Sequence, residues 1–137
     1  MTRDVSAKKQ KNVAGWYREV NKWVSEIHFV QDEIVFAKKL LNSDVFEPNV
    51  PNLFERIREY LGLLESFEEE LAAFEAQLVR HERGLGTFLE IIEPEGFKLE
   101  SRHLELAVQL AEIIGRFKML KSEIFQYAGG ILRRKRK

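Results

Sequence analysis

Cysteine is absent from this chain, which removes disulfides, thiolate metal sites and cysteine nucleophiles together. Proline and glycine are scarce, 3 and 8 in 137 residues, too few for the turns of a many-stranded β fold. No stretch approaches the run of about 18 apolar residues that a spanning helix needs. The basic start, MTRDVSAKKQKN, is not followed by the apolar core of a secretory signal. Gly-rich phosphate loops, Ser-nucleophile motifs and zinc-protease motifs are missing as well. These absences speak against nucleophilic and nucleotide-dependent enzymes and for a cytoplasmic protein in a reducing compartment.

What is present suits one helical core. Hydrophobic residues make up 45% of the chain and charged residues 32%, enough apolar surface to offset the ordering entropy of a domain. A chain of this length buries roughly two-thirds of its unfolded surface. Net charge is zero, but the charge is segregated. Residues 1–47 carry 8 basic and 7 acidic groups, residues 48–96 carry 4 and 11, and residues 97–137 carry 10 and 4. An acidic middle element beside a basic last one favours their pairing and fixes partner choice more than it adds stability.

Three segments repeat apolar residues at alternating spacings of three and four, the mark of long amphipathic helices. The first seam runs Trp16, Val20, Trp23, Ile27, Val30, Ile34, Ala37, Leu41. The second runs Ile57, Tyr60, Leu64, Phe67, Leu71, Phe74, Leu78, His81, Leu85, continuing toward Phe88 and Ile92. The third runs Leu99, His103, Leu106, Leu110, Ile113, Phe117, Leu120, Ile124, Tyr127. A period of 3.5 implies a left-handed supercoil of nearly parallel or antiparallel rods. The breaks are chemical. Asn12 can cap the first helix, and Asn42-Ser43-Asp44 can close it. Pro48 and Pro51 disfavour helix, and Asn52 with Glu55 makes a capping-box pattern. Pro94-Glu95-Gly96 forms the next break, Ser101 or a residue just before it starts the third helix, and Gly129-Gly130 ends it. Gly84 and Gly86 weaken the second helix by about 1 kcal/mol each. Thr87 with Glu90 would cap a separate short helix, but the unbroken seam through Leu85 favours continuation. Short connections between rods give an antiparallel up-down-up three-helix bundle, all-α with coiled-coil-like heptad packing. The domain spans 12–130, with a basic arm at 1–11 and a basic tail at 131–137.

A second set of apolar residues lies off the seams. Phe29, Phe36 and Leu40 point away from the first seam, and Leu104, Val108, Ala111, Gly115 and Met119 away from the third. Ala111 and Gly115 are small enough for another backbone to come close. A three-helix bundle hides one stripe per helix, so these eight residues are the expected partner interface of a homo-oligomer, most simply a two-fold dimer. The alternatives are absorption within the monomer by tilt and supercoil, or ordinary scattered exposure.

The polar candidates are incomplete. His81 and His103 sit on neighbouring seams, and they face each other only if the turn between them centres on residue 92. The break at residues 94–96 centres it near 95, which sets His103 opposite residue 87 and His81 opposite 109. Two histidines without a carboxylate cluster are an incomplete metal site, and a metal-dependent helical-bundle enzyme using His81, His103 and Glu100 is the alternative reading they carry. Glu100-x-x-His103 has di-iron spacing, but no second such pair exists. Glu65, Glu68, Glu69 and Glu70, and Glu90 with Glu93, read as solvated acidic faces rather than Mg²⁺ ligands. His28 and Asp32 form an ordinary i, i+4 pair, and Trp16 and Trp23 read as core anchors. The sequence thus leans away from an enzyme and assigns no catalytic residue, metal or cofactor. The tail residues Arg133, Arg134, Lys135, Arg136 and Lys137 suit weak, salt-sensitive contact with nucleic acid or an anionic surface. No aromatics interleave with them for base stacking, and a solubilising terminus is the plain alternative. Length, three heptad helices and an early seam tryptophan resemble the spectrin-repeat architecture, a likeness of shape that carries no function.

Overall fold

In a computed structural model the described residues are 2–90 and 96–133 for the backbone, and 12–86 and 99–133 for the side chains. Among them the chain forms three α-helices, α1 (Thr2–Leu41), α2 (Leu53–Glu90) and α3 (Gly96–Gly130). They are rods of about 60, 57 and 52 Å at 1.5 Å per residue. All three pack on one another, α1 most extensively on α2 and least on α3.

The buried residues are the seams. Val20, Ile27, Ile34, Leu64, Leu71, Leu78, Leu85, Leu106 and Ile124 are fully buried in one continuous core. Their spacing of three and four turns one edge of each helix inward along its length. Gly84 and Gly86 lie inside α2, which runs on to Glu90. The geometry gives Gly84 a reason, since a Cβ there would meet Leu99 Cδ2 at 3.2 Å. The small residue lets α3 approach.

The helix starts depart from the sequence reading. α1 begins at Thr2, so Asn12 lies inside the helix and does not cap it. Likewise α3 begins at Gly96, ahead of Ser101. Lys8, Lys9 and Lys11 sit on helical backbone because nothing in their segment breaks a helix and Lys is a good helix former. Other ends follow expectation. The Asn42 and Ser43 side chains donate to the carbonyls of Lys38 (2.9 Å) and Leu40 (2.6 Å), closing α1. Asn52 leads into α2, and its carbonyl accepts from the Arg56 N–H at 2.9 Å. Its φ of 59° is left-handed, whereas a helix cap usually has an extended backbone. Asn is among the few residues at ease there.

The loop between α1 and α2 closes one end of the bundle. Phe46 is buried with Leu53 and Ala128 and forms an antiparallel bridge with Leu132. The Glu47 N–H donates to Ile131 O (2.9 Å) and the Arg133 N–H to Val45 O (2.7 Å). Residues 131–133 are thereby tied to the loop.

The seam carries the stability. Phe117→Ala removes a buried ring packed edge-on to Phe67 and should cost about 3–5 kcal/mol. Gly62→Ala, mid-helix with open space around it, should raise stability by up to about 1 kcal/mol. Urea unfolding midpoints at constant m-value check both.

Candidate functional site

The heptad spacing places one polar layer in an otherwise apolar seam. His81 on α2 and His103 on α3 meet near the α2–α3 turn, with His81 Nε2 3.0 Å from His103 Nδ1. They are 5% and 3% exposed, the buried polar side chains of the described core. The His103 ring stacks on Trp23 at 4.6 Å and on Trp16 at 5.5 Å. Its other nitrogen, Nε2, stands 3.6 Å from Glu19 Oε1, outside hydrogen-bonding distance. His81 Nδ1 is buried without a hydrogen-bond partner among the described residues.

This contact corrects the register expected from the proline–glycine break. The two helices pair about a centre near residue 92, as the Phe67–Phe117 and Gly84–Leu99 contacts also require. Pro94 and Glu95 lie outside the described residues. Trp16 and Trp23 are core anchors, as their spacing implies, and they also wall the histidine pair. The walls and Glu19 escaped the sequence reading because they come from α1, whose register against α3 no turn sets.

The hydrogen positions follow from counting. Two neutral imidazoles carry two protons on four nitrogens, and one proton must lie between the facing pair. The second sits best on His103 Nε2, beside the Glu19 carboxylate. His81 Nε2–H then donates to His103 Nδ1, and His81 Nδ1 keeps a bare lone pair. Burial pushes the His81 pKa down to about 4, with His103 and Arg102 adding to the shift. The His103 pKa is lowered by burial too, against the opposing pull of Glu19.

As a metal site the layer is incomplete. Among the described residues no three His, Asp or Glu side chains are grouped to hold an ion. The facing nitrogens are occupied by each other, and Glu100 is exposed. Of the acidic run, Glu68 pairs with Lys38 at 2.9 Å and Glu70 with Arg116, while Glu65 and Glu69 are exposed. The side chains of Glu90 and Glu93 lie outside the described residues. His28 pairs across helices with Glu75 (2.8 Å) rather than along α1 with Asp32.

The off-seam apolar residues divide. Phe29 (64% exposed), Phe36, Leu104, Val108 (69%) and Met119 (76%) are bare, and so are Ala111 and Gly115. Leu40 differs, being half-buried against the Phe46 cluster. Phe29 lines a cleft of about 480 Å³ between α1 and α3, with Glu26, Ile114 and Lys118. Ala111 and Gly115 line a neighbouring cleft of about 350 Å³ that shares those three residues. Phe125, not singled out from the sequence, extends this side, its ring 6.4 Å from that of Phe36. Met119 instead borders a groove between α2 and α3 with Leu63 and Phe67. Arg134, Lys135, Arg136 and Lys137 lie outside the described residues.

No helix among the described residues is long and apolar enough to cross a membrane. Comparison with known proteins finds no matching family model, no matching curated protein and no matching solved structure.

The histidines should behave as a coupled pair. At pH 7.5 His81→Leu or His103→Leu alone leaves a buried nitrogen unpaired, at a cost of about 1–3 kcal/mol. The double His81→Leu/His103→Leu variant removes both polar rings and should cost less than the sum of the two. A double-mutant cycle in urea should return a coupling of about 0.5–3 kcal/mol.

Proposed function

We propose that this chain is a non-enzymatic helical-bundle interaction protein that associates with itself, most simply as a two-fold dimer, through the side where α1 and α3 meet. The observation that carries the reading is the run of exposed apolar side chains along that side, Phe29, Phe36 and Phe125, beside the small residues Ala111 and Gly115. Contiguous exposed apolar surface of this kind usually marks a contact.

A second copy is the occupant that the charges favour. The same cleft carries Lys22 and Lys118 together with Glu26 and Glu33, charges of both signs from which a two-fold contact can draw opposite pairs. The chain's net charge of zero leaves two copies without overall repulsion. Gly115 supports the reading. A Cβ there would meet nothing within 4 Å in the monomer, yet a mid-helix glycine costs about 1 kcal/mol relative to alanine. A close neighbouring backbone would offset that cost.

Sedimentation equilibrium tests the proposal. The wild type should assemble in the micromolar range, and Phe29→Glu/Phe36→Glu should be monomeric with its helicity unchanged. Gly115→Ala should stabilise the monomer by up to about 1 kcal/mol and weaken the assembly. A wild type that stays monomeric at high micromolar concentration overturns the proposal.

A further inference from the structure

The histidine layer holds a proton count that acid can change. The neutral pair uses one N–H···N bond between His81 Nε2 and His103 Nδ1, 3.0 Å apart, with the second proton on His103 Nε2 beside Glu19. A third proton has one place to go that keeps the bond, His81 Nδ1, which is buried and faces no acceptor. A fourth sets two N–H groups against each other across 3.0 Å and ends the bond. Each added proton also brings a charge into a site almost closed to water, where an unsolvated charge is costly. Among the described residues, the charged and titratable groups around the pair do not supply the missing acceptor. From α1, Glu19 stands 3.6 Å from His103, and Tyr17 lies beside Glu82, which raises the tyrosine's pKa. From α2, Glu82 lies beside that tyrosine. From α3, Arg102 is bonded to Gln77 (2.8 Å) and Glu105 (3.3 Å) and adds positive charge next to His103.

We propose that the His81–His103 contact is an acid-released latch, which holds α2, α3 and the Trp16–Trp23 stretch of α1 together while both rings are uncharged and lets that end of the bundle part when they are protonated. The far end, closed by the Phe46–Leu132 bridge and its apolar cluster, contains no histidine and stays shut. The folded pair resists protonation more than the unfolded chain does. Stability is therefore complete above the ordinary histidine range and falls as the pH drops from about 6.5 toward 4. Release bares Trp16, Trp23 and the adjoining seam positions Leu85 and Leu106.

The two tryptophans of the chain both stack on His103, so their emission reports the latch. On titrating the full chain from pH 7.5 to 4, the expected result is a red shift of tryptophan emission with most far-UV helicity retained, and a urea midpoint lower at pH 4.5 than at 7.5. In His81→Leu/His103→Leu the shift should vanish and the midpoint difference should fall by at least half. An acid transition that persists unchanged in the double variant assigns it to carboxylates such as Glu19 and overturns the proposal, as does a wild type whose emission is flat to pH 4. If the double variant fails to fold, ¹⁵N spectra of the wild-type rings decide. Uncharged His81 and His103 well below pH 6.5, charging together with the indole change, support the latch. Rings that charge near 6.5 with the indoles undisturbed overturn it.

Discussion

The register between α2 and α3 is the constraint on which the rest depends. Heptad seams tell each helix which edge to bury, and many registers differing by whole heptads satisfy that demand equally well. The chain contains one seam layer that does not. Placing His81 against His103 answers one buried nitrogen of each ring, His81 Nε2 with His103 Nδ1. Sliding α3 by a heptad would set His81 against position 110 or 96, Leu or Gly, and His103 against position 88 or 74, Phe in both cases, with polar nitrogens buried and unanswered at about 1–3 kcal/mol each. The histidine layer thus disfavours the wrong registers more than it stabilises the right one, as a single buried polar residue does in coiled coils. Gly84 adds a steric clause, since Leu99 comes close only to a position without a side chain.

The surrounding ion pairs are secondary. Arg116 with Glu70 joins basic α3 to acidic α2, but Lys38 of α1 takes Glu68 and Lys121 of α3 takes Glu33 of α1. The acidic surplus of α2 is shared between both neighbours instead of being matched to α3 alone. These side chains are part-exposed, where a pair contributes at most about 1 kcal/mol. Their value lies in orientation, because each is satisfied only when the three helices follow one another in this arrangement.

The seams, the two breaks and the continuation of α2 through Gly84 were legible because each rests on local chemistry: spacing, proline, helix propensity. The layer of His81 and His103 was legible as two seam histidines and illegible as a contact. Pro94 and Gly96 tell where helix is disfavoured, but not how many residues the turn consumes, and a three-residue error in its centre moves the facing partner by six. Asn12 misled for a related reason. A capping residue marks a start only where something upstream resists helix, and the lysine-rich segment before it does not. Leu40 pointed off the seam of α1 and was still covered, because the α1–α2 loop folds Phe46 back over that end, a contact with no periodic signal. Phe125 and Glu19 owe their places to how α3 lies beside α1, the one pair of helices with no connecting turn to set its register.

That missing turn also bears on why the α1–α3 side is open. In an up-down-up bundle α1 and α3 run parallel and are held by side chains alone, whereas each shares a hairpin with α2. Bulky seam residues fill the space toward α2. Toward each other, α1 and α3 leave two neighbouring clefts, one with Phe29 on its α1 wall and the other with Ala111 and Gly115 on its α3 wall. The polar layer and the open side therefore answer different questions from one set of heptads: the histidines select how the three helices align, and the unmatched residues between α1 and α3 leave a surface that the three helices alone do not close.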